Sequence, residues 1–183
     1  MPVKELLVEL NYIFNNEANN IINYIHNQQD YNSDIFDEPV STDANENRPK
    51  SLRGQKGVYV VLFTENKHLT YEDITKWCSV KGAPFNIVWR DYAFEEAQCL
   101  YVGSCSSNSL YKRLGEHYRS DNEKYSLNIN HPNRILLKDS IRILLFPLKK
   151  NLDLKEAEIR IVVTSIEKIL HNRLHPLTGL SRV

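Results

Sequence analysis

Apolar residues recur through the first 26 positions at helical spacing. Leu6, Leu7, Leu10, Ile13, Phe14, Ala18, Ile21, Ile22 and Ile25 fall at three- and four-residue intervals, so residues 3–26 are predicted to form an amphipathic helix. The pattern then lapses. Residues 28–56 are polar and acidic with almost no apolar periodicity, which predicts a mobile linker. Residues 57–63, GVYVVLF, are an unbroken β-branched and aromatic run between Gly57 and Thr64, as expected of a buried strand. Thr70 followed by Asp73 predicts the N-cap of a short helix over 71–80. QCLYVG, residues 98–103, reads as a second strand ending at Gly103, and 104–108 as a small polar loop. SLYKRLGEHY, residues 109–118, reads as a helix weakened at Gly115. SIRILLF, residues 140–146, is a third strand stopped by Pro147. Asp153 and Glu156 form a capping pair for a long helix from 154 to about 173, closed before Pro176. The order β, α, β, α, β, α predicts an α/β (α+β) fold, a small mixed central sheet flanked by helices. Residues 1–56 would be a helical arm and acidic linker, and residues 57–183 a core domain with an insertion at about 64–97.

The composition fits a single domain with an appendage. Of 183 residues, 42% are hydrophobic and 25% charged, the balance of a globular protein. No apolar run approaches the roughly 20 residues that a membrane-crossing helix needs. Lys4 and Glu5 precede any apolar run, and no small-residue cleavage pattern follows, so no secretory signal is expected. Cys78, Cys99 and Cys105 are an odd set without CxxC spacing, which indicates neither a disulfide framework nor a zinc finger; a reducing cytoplasm is the expected compartment.

Charge changes the picture. The net charge is zero, but residues 1–47 hold one basic and nine acidic residues, so the rest of the chain carries +8. A basic body with an acidic arm is compatible with a phosphate-binding surface. Lys112, Arg119, Lys124, Arg134, Lys138, Arg142, Lys149 and Lys150 are candidates for it. The aromatic residues of the insertion, Trp77, Phe85, Trp89, Tyr92 and Phe94, are expected to pack it onto the core rather than reach bases.

Five features appear in a telling order: Gly57-Val58-Tyr59, Tyr101-Val102-Gly103, Arg113 with His117 four residues on, and Glu167 within SIEKIL on the last helix. Together they resemble the GIY-YIG nuclease superfamily over about residues 57–179. Three departures accompany the resemblance. Val stands for Ile in both triplets, Tyr59 and Tyr101 lie 42 positions apart because of the insertion, and Gly179 occupies the place of an asparagine found in many members. The resemblance implies a GIY-YIG-like core for residues 57–183. It implies a metal-dependent endonuclease whose catalytic residues are Tyr59, Tyr101, Arg113, His117 and Glu167, with Glu167 holding Mg²⁺ or Mn²⁺. Tyr59 would act as base with Tyr101 positioning the water or phosphate. The four residues Tyr59, Tyr101, Arg113 and Glu167 would converge on one open surface, within about 10 Å, sharing one phosphate.

These residue types suit phosphodiester hydrolysis on chemical grounds as well. A carboxylate can hold a hard cation at the phosphate, and a guanidinium can bind phosphate oxygens in pairs at any relevant pH. A phenol, with a pKa near ~10, needs a cationic neighbour to serve as base. His117 shares a helix face with Arg113 and could take part in proton transfer or phosphate binding. Taken singly, each has a plainer explanation: tyrosines pack strands, Arg113 and His117 would be surface residues, and Glu167, at the margin of an apolar helix face, would sit in a salt bridge. The expected partner is nucleic acid, double-stranded DNA before RNA, with a homodimer left open and no membrane. The rival readings are a nucleic-acid-binding module that does not cut and a protein-interaction module on the same fold.

Overall fold

A strand with no polar interruption is stable only when both its faces are covered, and residues 57–63 meet that condition. Tyr59 and Val61 enter one hydrophobic cluster, while Val58, Val60 and Leu62 enter another on the opposite face. The computed structural model describes residues 3–27, 31–43, 48–64, 72, 98–119, 126–132 and 139–176. In chain order its elements are α1 (Val3–Asn27), β1 (Val40–Asp43), a 3₁₀ turn (Lys50–Leu52), β2 (Gly57–Phe63), β3 (Cys99–Cys105), α2 (Leu110–His117), β4 (Ile141–Pro147) and α3 (Glu156–Leu174). Apart from Glu72, the helix expected over 71–80 lies outside the described residues, as do the aromatic residues of the insertion, Cys78, Lys124, Arg134, Lys138 and Gly179.

The chain is an α+β protein. Among the described residues, four strands form one sheet in the order β1-β4-β2-β3. Every pairing is antiparallel, which corrects the expectation of a mixed sheet. β2 is central, and both of its neighbours run against it, so β3 and β4 run in the same direction on either side of it. Gly57 opens β2 where a Cβ would collide with the carbonyl oxygen of Phe146 on β4, so this close approach admits only glycine.

The first 56 residues are more integrated than an arm and linker. Phe14, Ala18, Ile21 and Ile25 of α1 are buried with Val58, Val60 and Phe146 of the sheet and with Val163, Ile166 and Leu170 of α3. The acidic segment turns back at Ser33, whose hydroxyl donates to the buried Glu17 carboxylate; the Asp34 N–H donates to the same carboxylate at 3.1 Å. Phe36 is buried and bridges Leu148, and β1 follows as an edge strand on β4. The other half of α1 leaves Val3, Leu7, Val8 and Tyr12 exposed.

The three layers are thus α1 and α3 on one face, the sheet, and α2 with the 3₁₀ turn and residues 126–130 on the other. α2 begins where Ser109 caps the Lys112 N–H. α3 begins later than its sequence suggests. Lys155 occupies the N-cap and Glu158 accepts from its N–H at 2.7 Å, so Asp153 and Glu156 do not form the capping pair. Among the described residues, no helix is long and apolar enough to cross a membrane.

Candidate active site

The second triplet ends in glycine for a reason visible in the packing. Gly103 on β3 lies opposite Tyr59 on β2, and a Cβ there would overlap the ring end and hydroxyl of Tyr59. The phenol therefore lies flat over the edge strand, toward α2. Tyr59 is only 1% exposed, and Tyr101 stacks beside it with ring centroids 5.9 Å apart.

Two residues one helical turn apart on α2 meet this phenol. The Tyr59 hydroxyl lies 2.7 Å from His117 Nε2, and Arg113 donates Nε–H to it at 3.2 Å. Arg113 also pairs with Glu116 at 2.9 Å, and its side chain remains about a fifth exposed. The sequence thus brings Tyr59, Tyr101, Arg113 and His117 into one cluster.

The backbone fixes the state of His117. Its Nδ1 accepts the Leu127 N–H at 2.9 Å, so the single proton of the neutral ring resides on Nε2. Nε2–H therefore donates to the Tyr59 oxygen. Burial first, and then the Arg113 guanidinium, push His117 well below the usual imidazole range. A neutral histidine already donating on one nitrogen and accepting on the other cannot take a proton from Tyr59. His117 is also buried rather than on the helix surface, so its expected part in proton transfer or phosphate binding gives way to holding Tyr59 in place.

Tyr59 itself is pushed well above the ordinary phenol range. Burial and the neighbouring Tyr101 raise it, and Arg113 pulls in the opposite direction without prevailing. The cationic neighbour that a tyrosine base requires is present, yet the phenol keeps its proton at neutral pH in the free chain.

Glu167 lies elsewhere. α3 packs on the sheet face opposite the tyrosines, and the Glu167 carboxylate accepts from Ser104 Oγ at 2.6 Å. Ser104 follows Gly103, so strand alternation sends its side chain to the other face. The expected single surface is therefore divided by the edge strand: the phenol covers Gly103 on one side, and the carboxylate meets Ser104, one residue on, on the other. Sequence reasoning placed Ser104 in a polar loop and missed it; its position directly after the glycine of the triplet was the available signal.

Among the described residues, no three His, Cys, Asp or Glu side chains converge as a metal site. Glu167, the carboxylate expected to hold Mg²⁺ or Mn²⁺, is engaged by the Ser104 hydroxyl. Cys99 and Cys105 are not nucleophile candidates, since burial pushes both thiols up.

The His117 state has a measurable consequence. Its proton affinity is lower in the folded chain than in the unfolded one. Stability from this group is therefore complete above pH ~6.5 and is lost as pH falls below it, because the unfolded chain binds a proton that the native chain refuses. Urea unfolding at fixed ionic strength should show stability declining from pH 6.5 toward 5, by at most about 1.4 kcal/mol per pH unit from this residue. His117→Gln should flatten the decline; an unchanged slope would contradict the assignment.

Comparison with family models, with curated proteins and with solved structures finds no match to this chain.

Proposed function

We propose that the chain is a divalent-metal-dependent endonuclease that hydrolyses phosphodiester bonds of nucleic acid, with DNA as the favoured substrate, on a GIY-YIG-like core. The observation that carries this reading is the Tyr59–Arg113–His117 cluster, with Tyr101 stacked on it, one residue along the edge strand from the Ser104–Glu167 pair. Tyr59, Tyr101, Arg113 and His117, far apart in sequence, meet on the α2 face, and Glu167 stands across the edge strand from them.

Arg113 is the phosphate ligand of this scheme. It is charged at every relevant pH and partly exposed, and it is held in orientation by Glu116 on one side and by the Tyr59 oxygen on the other. Tyr59, fixed by His117 and Arg113, orients the guanidinium and supports Tyr101, the more exposed of the two phenols. Tyr101 positions the attacking water or the phosphate. Glu167 would hold Mg²⁺ or Mn²⁺ across the edge strand from Arg113, and the cation would supply Lewis acidity to a phosphodiester that spans that edge.

Incubation of an end-labelled DNA duplex with Mg²⁺ tests the reaction class. The expected products carry 5′-phosphate and 3′-hydroxyl ends that DNA ligase rejoins, and EDTA abolishes them. Products that persist in EDTA, or that carry 3′-phosphate, would contradict the scheme.

The burial of Tyr59 and the placement of Glu167 across the sheet favour one other reading, a module on the same fold that binds nucleic acid without cutting it. Metal-independent DNA binding with no product at any Mg²⁺ or Mn²⁺ concentration is its signature.

A further inference from the structure

Residues 48–56, Arg-Pro-Lys-Ser-Leu-Arg-Gly-Gln-Lys, contain four basic residues and no acidic one. They form a built surface rather than a loose linker. Leu52 is 1% exposed beneath α2, and the Gln55 carbonyl accepts the Leu110 N–H at 2.8 Å at the start of that helix. Lys56 Nζ donates to the Asn108 carbonyl at 2.8 Å in the turn before it.

The guanidiniums are held by α2 as well. The Arg48 guanidinium carbon lies 4.3 Å from the Tyr111 ring centroid, and that of Arg53 lies 5.0 Å from it. Arg48 also donates to the Tyr111 carbonyl at 3.2 Å. A glycine inside a helix costs about 1 kcal/mol. At Gly115 the Arg48 guanidinium lies over the helix backbone, in space that a Cβ would share. Stacking on an aromatic ring fixes a guanidinium while leaving its edge free to meet an anion.

The charge is concentrated. Lys50, Arg53 and Lys112 are exposed, and Lys112 adjoins Arg113 in sequence. Glu116, the acidic residue on this helix, is engaged by Arg113. Among the described residues, no carboxylate pairs with Arg48, Lys50, Arg53 or Lys112.

We infer that residues 48–56 and the outer surface of α2 form a track for the phosphodiester backbone of nucleic acid, leading to Arg113. Stacked arginines and exposed lysines without base-reading geometry contact phosphates, so the track contributes affinity and register rather than sequence preference. The inference rests on the nucleic-acid reading above and assigns it a surface that the acidic character of residues 28–47 concealed.

The test is anisotropy of a fluorescein-labelled duplex of arbitrary sequence, titrated with the full chain in EDTA at several KCl concentrations. Wild type is compared with the triple variant Lys50→Gln, Arg53→Gln, Lys112→Gln and with the control Lys4→Gln, Arg160→Gln. The triple variant should bind at least about tenfold more weakly, and its slope of log affinity against log salt should shrink by about 2 to 3, near 0.9 per lost phosphate contact. The control should match wild type. A triple variant with wild-type affinity and slope, or a control with equal losses, overturns the track while leaving the nuclease reading intact. Absence of duplex binding by folded wild type at low salt overturns both.

Discussion

Glu167→Gln is expected to reduce Mg²⁺-dependent cleavage by about a thousandfold or more while leaving DNA affinity unchanged or slightly higher. The substitution preserves shape. The side-chain carbonyl can still accept from Ser104 Oγ, whose bond to the carboxylate is 2.6 Å, so the contact between α3 and β3 survives. What is lost is the negative charge that would retain a cation. Affinity should persist because the proposed phosphate contacts belong to Arg113 and the basic segment on the other face of the sheet. Single-turnover cleavage and duplex binding measured on the same preparation separate the two effects. A variant that lost both together would place Glu167 in the binding surface instead.

Arg113→Ala should lose both cleavage and affinity, the former by about a hundred- to a thousandfold. One guanidinium serves phosphate binding, transition-state charge and the position of Tyr59, so its removal also leaves Glu116 unpaired and withdraws one of the two N–H donors from the phenol oxygen. Arg113→Lys is the informative companion. Lysine restores the charge but cannot reproduce the planar fork that spans Tyr59 and Glu116. It should therefore recover much of the affinity and little of the rate. Full recovery of the rate by lysine would show that charge alone suffices and that the Tyr59 contact is incidental to the chemistry.

How much of this was legible from the residues depends on what each element exposes. β2 announced itself because both its faces are buried, which leaves an apolar run with no polar break. β1 did not. VSTD is short, sits at the sheet edge and buries only Thr42, so its pattern cannot be told from a loop. Strand direction was hidden for another reason: periodicity places strands but does not pair them, and the antiparallel order emerges only from tertiary packing. The acidic stretch looked like linker because its anchors are few and scattered, namely Ser33, Phe36 and Leu52.

The candidate site divides similarly. Side chains with a distinctive type at a distinctive spacing, Arg113 and His117 above all, could be picked out in advance. The Leu127 N–H that fixes His117 could not, because a backbone donor carries no residue signature. Nor could the side of the sheet on which Glu167 falls, which follows from where α3 packs. Gly103 and Gly115 mark two close approaches on this face, one under a phenol and one under a guanidinium.

Supercoiled plasmid nicking most directly tests the central claim that this chain cuts DNA with a divalent metal held at Glu167. Wild type and Glu167→Gln, both verified as folded by circular dichroism and as able to bind duplex, are incubated side by side over a range of Mg²⁺ and Mn²⁺ concentrations. The account predicts conversion to open-circular and linear forms by wild type alone, abolished by EDTA. No conversion by wild type, or equal conversion by the two proteins, would contradict it.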